Sequence, residues 1–112
     1  MAISPARRAA FDVLLRIERD RAFSSILLPE AEAGLSAPDK TLTHQLTLGA
    51  LRRQLYLDHL IGERSRARSL DLEVRIALRM GIYQLLFLDR VPDHAAINDS
   101  VELVKRANKG SA

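Results

Sequence analysis

Residues 70–89 read LDLEVRIALRMGIYQLLFLD, and nearly every side of a helix drawn through them is apolar. Val74, Leu78, Gly81, Leu85 and Leu88 share one stripe, while Ile76, Met80 and Phe87 cover another. Only Arg75, Arg79 and Tyr83 leave a narrow polar strip. A helix apolar over so much of its circumference packs against neighbours on several sides, which places it at the centre of a bundle. Its most apolar run, MGIYQLLFL, is about half the length a bilayer span requires. Gly81 lies inside the helix, where glycine costs roughly 1 kcal/mol relative to alanine. A close helix crossing is the compensation such a position implies.

On the N-terminal side the same helical period recurs. In SPARRAAFDVLLRIERD (residues 4–20), Ser4 is an N-cap, Pro5 falls at the first helical position, and Ala6, Ala10, Val13, Leu14 and Ile17 form a stripe to be buried. Asp12 is spaced to pair with Arg8 and Arg16. A shorter helix is expected within AFSSILLPEAEA (22–33), with Pro29 ending it or beginning a new turn. GLSAPDK (34–40) is a loop leading into a helical segment, KTLTHQLTLGALRRQLYLDHLI (40–61), whose period is not clean. Leu42, Leu46, Gly49, Leu57 and Leu60 share one face with Arg53, while Leu48, Leu51 and Leu55 form a second. A bend or break near Arg53 reconciles the two stripes. GERSRARS (62–69) is a polar connection.

On the C-terminal side, DRVPDHAAINDSVELVK (89–105) resembles a functional loop at first sight. Val91-Pro92 instead ends the central helix, because the residue before proline is pushed out of helical geometry. Asp93 begins a last helix in which Ile97, Val101 and Val104 have the spacing of a packed face, with Asn98 and Asp99 capping near its start. No stretch alternates as a strand does. The chain is an all-α, compact helical bundle, one domain over residues 1–112.

Composition narrows the function. With no cysteine there is no disulfide framework, zinc ribbon or thiol nucleophile. His44, His59 and His94 lack metal-ligand spacing, so no metal site is expected. The glycines stand singly and make no phosphate loop. Carboxylate pairs such as Asp71 with Glu73 and Asp99 with Glu102 fall where they suit helix dipoles. Asp93 and His94 have no nucleophile or metal beside them, so no catalysis is expected on this chain. No signal peptide or membrane span is legible, and a cytoplasmic protein without membrane contact is the expectation. The formal net charge of +3 is carried mainly by arginine, whose guanidinium fork suits phosphate, although a solvated basic surface has the same composition. The basic candidates are Arg7 and Arg8, Arg52 and Arg53, and the cluster Arg64, Arg66 and Arg68. Arg52 can equally bond carbonyls at a helix junction. Two tyrosines, Tyr56 and Tyr83, are sparse for a base-stacking platform.

Four stretches, ARRAAFDVLLRIERDRAFSSILL, LTLGALRRQLYLDHLI, ALRMGIYQLLFLDRVP and HAAINDSVELVKRA, stand in the order found in NusB-type RNA-binding domains. Together they resemble most the N-terminal domain of the RsmB (Sun, Fmu) class of ribosomal RNA cytosine-5 methyltransferases. The resemblance implies a fold of two packed helical subdomains and a non-catalytic accessory role in engaging small-subunit ribosomal RNA. Arg7 and Arg8 match the arginine-rich segment that contacts RNA in NusB. It further implies that the family pattern continues with one more helix and a methyltransferase domain. That domain would use S-adenosylmethionine, while this chain needs no cofactor. The chain's own methyltransferase domain and ribosomal RNA are then its partners, and an exposed apolar surface would allow a homodimer. A free-standing NusB-like transcription antitermination factor is the alternative, and a purely structural or protein-interaction module is a third reading.

Overall fold

The computed structural model describes residues 3–65 and 70–108, and these residues are all-α. Six helices follow one another: α1 (Pro5–Asp20), α2 (Ser24–Glu32), α3 (Ala37–Arg52), α4 (Gln54–Ser65), α5 (Leu72–Phe87) and α6 (Asp93–Asn108). Helices α1–α3 pack on one another, α5 packs on α4 and α6, and the two groups meet where α5 crosses α1 and α3.

The N-terminal starts are built as their residues dictate. The Ser4 hydroxyl accepts from the Arg7 amide, and the Ser36 hydroxyl accepts from the Asp39 amide, each followed by a proline in the first turn. Gly34 has a φ of 84°, the left-handed region that glycine enters without a Cβ penalty, and so turns the chain from α2 into α3. Pro29 lies inside α2 rather than at a boundary. The carbonyl it leaves without a helical partner belongs to Ser25, which like Pro29 is exposed, so water can satisfy it.

The expected break occurs at Arg53. This residue closes α3 with φ −108° and ψ 16°, its amide bonding the Gly49 carbonyl, and its own carbonyl accepting from Leu57 as α4 begins. The chain therefore redirects with its hydrogen-bond ladder nearly intact. Leu46 and Leu57 are fully buried, but Leu55 from the second stripe is 86% exposed.

α5 is central, touching α1, α3, α4 and α6. Ile76, Ala77 and Met80 lie in the main core with Ala10, Phe11, Leu14, Leu46, Ala50, Leu57 and Leu103. Burying a side chain the size of Ile76 or Met80 stabilises the fold by about 1.5–3 kcal/mol. Val13, Leu27 and Leu28 form a smaller cluster under α2. Gly81 marks the close crossing its position implied: a Cβ there would come 2.7 Å from the Ser100 hydroxyl of α6.

The structure settles one face that the spacing left open and corrects another. The polar strip of α5 does not face solvent, since Arg79 and Tyr83 are buried and Arg75 is half-buried, while Leu85 and Leu86 are exposed. On α6 Ala96, Asp99 and Leu103 are buried and Val104 packs against the core as expected, whereas Ile97 and Val101 are each nearly half exposed. Position 96 plus seven gives a helical face as regular as position 97 plus four. The close approach that Gly81 and Ser100 permit rotates the small-residue face inward.

Candidate nucleic-acid interface

Burial separates the arginines into those that hold the fold and those that can reach a ligand. Arg7, one turn before Ala10 and Phe11, lies on the inner face of α1 and is 7% exposed. Its Nε donates to Gln84 Oε1 at 2.7 Å, and its Nη1 donates to Asp99 Oδ2 at 3.2 Å. Gln84 passes the network on by donating to the Met80 carbonyl. Asp99 Oδ2 also accepts the Ser4 amide at 3.1 Å. Asp99 thus caps the start of α1, not the start of its own helix, and with Arg7 and Gln84 ties α1, α5 and α6 together. The arginine that sequence reading placed on the RNA surface is an interior structural group. Arg7 is engaged by two partners within the fold, whereas its neighbour Arg8 is exposed.

Arg79 is the second buried cation. Its Nε and Nη2 grip the two Asp58 oxygens at 2.6 and 2.9 Å, and its Nη1 reaches Glu18 at 2.7 Å. Burial alone would lower its pKa, but the hydrogen bonds and charges of Asp58 and Glu18 outweigh that and hold it above the ordinary arginine value. The fork geometry fastens α5 to α4 and α1.

Arg8 faces a small groove of about 220 Å³ with Arg106, and Asp12 and Glu73 line it too. Desolvation raises the Asp12 carboxyl above its ordinary pKa, and the neighbouring Arg8 charge partly offsets this. The groove carries mixed charge. Arg16 pairs with Asp20 at 3.9 Å.

Arg52 and Arg53 sit at the α3–α4 break, exposed, and make no ion pair among the described residues. The Arg53 guanidinium lies 4.1 Å from the centroid of the Phe87 ring. Phe87 in turn stacks on Tyr83 at 5.4 Å and meets Tyr56 edge-on at 6.5 Å. The two tyrosines that look sparse in the sequence are therefore gathered with Phe87 beneath the two free arginines. Arg52 borders a groove along α3, about 450 Å³ in volume, whose walls include Thr41, His44, Gln45, Leu48 and Tyr83. Gly49 makes this possible, since a Cβ at that position would overlap the Tyr83 ring. Sequence reasoning missed Gln45, His44 and Tyr83 here. Its one available signal was a glycine within a helix of longer side chains, one turn before Arg52 and Arg53. The side chains of Arg64, Arg66 and Arg68 lie outside the described residues, and no cluster of metal-ligating side chains occurs among the described ones.

A helical bundle that sequesters two arginines and presents two others at a helix break defines an all-α domain with an exposed cationic junction. The particular family follows from comparison with known proteins: residues 4–112 match the NusB family, and the chain belongs to it. It is 36% identical over 89% of its length to a probable ribosomal RNA small subunit methyltransferase B of Synechocystis, covering 23% of that protein. The corresponding Bacillus subtilis protein is 30% identical over the whole chain, which covers 26% of it. A transcription antitermination protein NusB from Nocardioides is 31% identical over 92% of the chain and 78% of its own length. The chain thus spans about a quarter of its methyltransferase relatives. No solved structure matches it significantly.

Proposed function

We propose that this chain is the non-catalytic RNA-binding accessory domain of an S-adenosylmethionine-dependent small-subunit ribosomal RNA cytosine-5 methyltransferase, working in the cytoplasm. Its task is to hold ribosomal RNA for a methyltransferase domain carried elsewhere in the protein. The likeness to the N-terminal region of such enzymes supports the assignment to this class. The observation that carries the RNA contact is the pair Arg52 and Arg53: unpaired, exposed and adjacent at the α3–α4 break, one backed by an aromatic ring. Arg8 extends the basic surface, while Arg7 supports it from within. No helix among the described residues is long and apolar enough to cross a membrane, which agrees with a partner in solution.

Fluorescence anisotropy of a labelled small-subunit ribosomal RNA fragment tests this reading. Affinity should fall linearly on a log–log plot as salt rises, because each phosphate contact releases bound counterions. Negligible binding at low salt, or binding indifferent to salt, removes the proposal.

The Nocardioides relative, of which the chain covers most, favours one second reading: a free-standing antitermination factor. A methyltransferase domain in the same reading frame eliminates it. Self-association is a further proposed contact, through the grooves bordered by Tyr56, Leu60, Leu85 and Leu86 and by Leu78, Val101 and Val104. A concentration-independent monomer in sedimentation removes it.

A further inference from the structure

The α3 groove has a chemistry more specific than a basic surface. Tyr83 is 8% exposed and lines this groove, and it is not among the fully enclosed side-chain atoms that lack a partner, so its hydroxyl end is placed to meet what enters the groove. A buried tyrosine ordinarily satisfies its O–H. Here the hydroxyl end lies against Gly49, in the groove wall, close to the backbone of α3. Arg52 borders the same space. Gln45 and Thr41 add polar groups, and Leu48 supplies an apolar wall. His44 is held by Glu32 through Nδ1 at 3.0 Å, which leaves the other ring nitrogen for a further contact. Glu32 does not itself line the groove.

We infer that this groove is a binding site for one phosphorylated nucleoside unit, its phosphate held between the Arg52 guanidinium and the Tyr83 hydroxyl. The chemistry favours that ligand over an apolar one or a bare cation. The two groups at the groove are a fixed positive charge and a neutral donor, which together suit an anionic oxygen. The volume of about 450 Å³ falls within the range of small-ligand clefts, roughly 300–1,000 Å³, and exceeds what a lone phosphate fills. Gln45 can then meet polar atoms of the base or ribose, and Leu48 the apolar side of either. Gly49 is the positioning residue: the absent Cβ is what lets the Tyr83 phenol reach the groove. The inference rests on the RNA-binding reading for its natural source of ligand, a nucleotide within ribosomal RNA. A free nucleoside phosphate has the same chemistry.

The test uses the full chain, with uridine monophosphate and inorganic phosphate as small probes and the ribosomal RNA fragment as the large one. Heteronuclear NMR should show uridine monophosphate shifting the Gly49 amide, the Gln45 side-chain amide and the Arg52 Nε–H, with inorganic phosphate shifting the Gly49 and Arg52 signals but not that of Gln45. Arg52→Gln should weaken the probe about tenfold, and Tyr83→Phe about threefold, from loss of a charged and a neutral hydrogen bond respectively. Tyr83→Phe keeps the ring on Phe87, so an unchanged melting temperature separates lost binding from lost folding. The groove inference is overturned if neither uridine monophosphate nor RNA moves those signals, or if both variants bind as the parent does. Should RNA bind with strong salt dependence that both variants retain, the RNA reading stands and this site falls. If uridine monophosphate binds the groove and RNA binds nowhere, the site stands with a free nucleotide as its ligand, and the RNA reading falls.

Discussion

Asp99 holds α6 to the start of α1 through two hydrogen bonds, to the Ser4 amide and to the Arg7 guanidinium, and Arg7 carries the link on to Gln84 of α5. Removing it strands a buried cation, and breaking a buried pair from one side costs about 3–5 kcal/mol. Asp99→Ala should therefore lower the unfolding free energy by that amount, seen as a lower denaturant midpoint with the slope unchanged. A loss within experimental error would mean that Arg7 finds water instead. Asp12 has the opposite sign. Its carboxyl is raised by desolvation, so its contribution to stability is present below the ordinary carboxyl value and lost as pH rises through the folded value. Asp12→Asn should be as stable as the parent or slightly more so near neutral pH, and the difference should vanish below about pH 4. Thermal melts at the two pH values decide it. At this scale the sequence was least legible. A guanidinium looks the same on paper whether it meets phosphate or, like Arg7, an interior carboxylate 92 residues away.

Helices were far easier to read. Ser4-Pro5 and Ser36 with Pro38 mark starts whose amides have a defined acceptor, and the double period around Arg53 announces the α3–α4 break. What the period could not decide was which of two adjacent stripes turns inward. On α6 the larger side chains Ile97 and Val101 suggested one face, but the Gly81–Ser100 approach selects Ala96 and Leu103. On α5 the spacing marked Arg79 as part of a polar strip but not what it meets; Asp58 and Glu18 make its burial tolerable. Leu103→Ala should cost about 2–5 kcal/mol, the range for emptying a core site, whereas Ile97→Ala on the exposed stripe should cost well under that. Equal costs in chemical denaturation would restore the face first expected from the spacing.

At the scale of the whole molecule, six helices keep two arginines inside as fasteners and leave Arg52 and Arg53 outside, over Tyr83 and Phe87. The all-α architecture and family were legible because hydrophobic period and ordered motifs survive in one dimension. The groove was not, because His44, Gln45, Arg52 and Tyr83 come from two helices and converge only once Gly49 admits the phenol. The central claim is that the α3–α4 junction is where RNA is held. The salt dependence of ribosomal RNA fragment binding, compared between the parent chain and Arg52→Gln/Arg53→Gln, tests it most directly. The log–log slope should shrink by about two phosphate contacts in the double variant, with affinity reduced alongside it and the melting temperature preserved. An unchanged slope and affinity in a folded double variant would contradict the account.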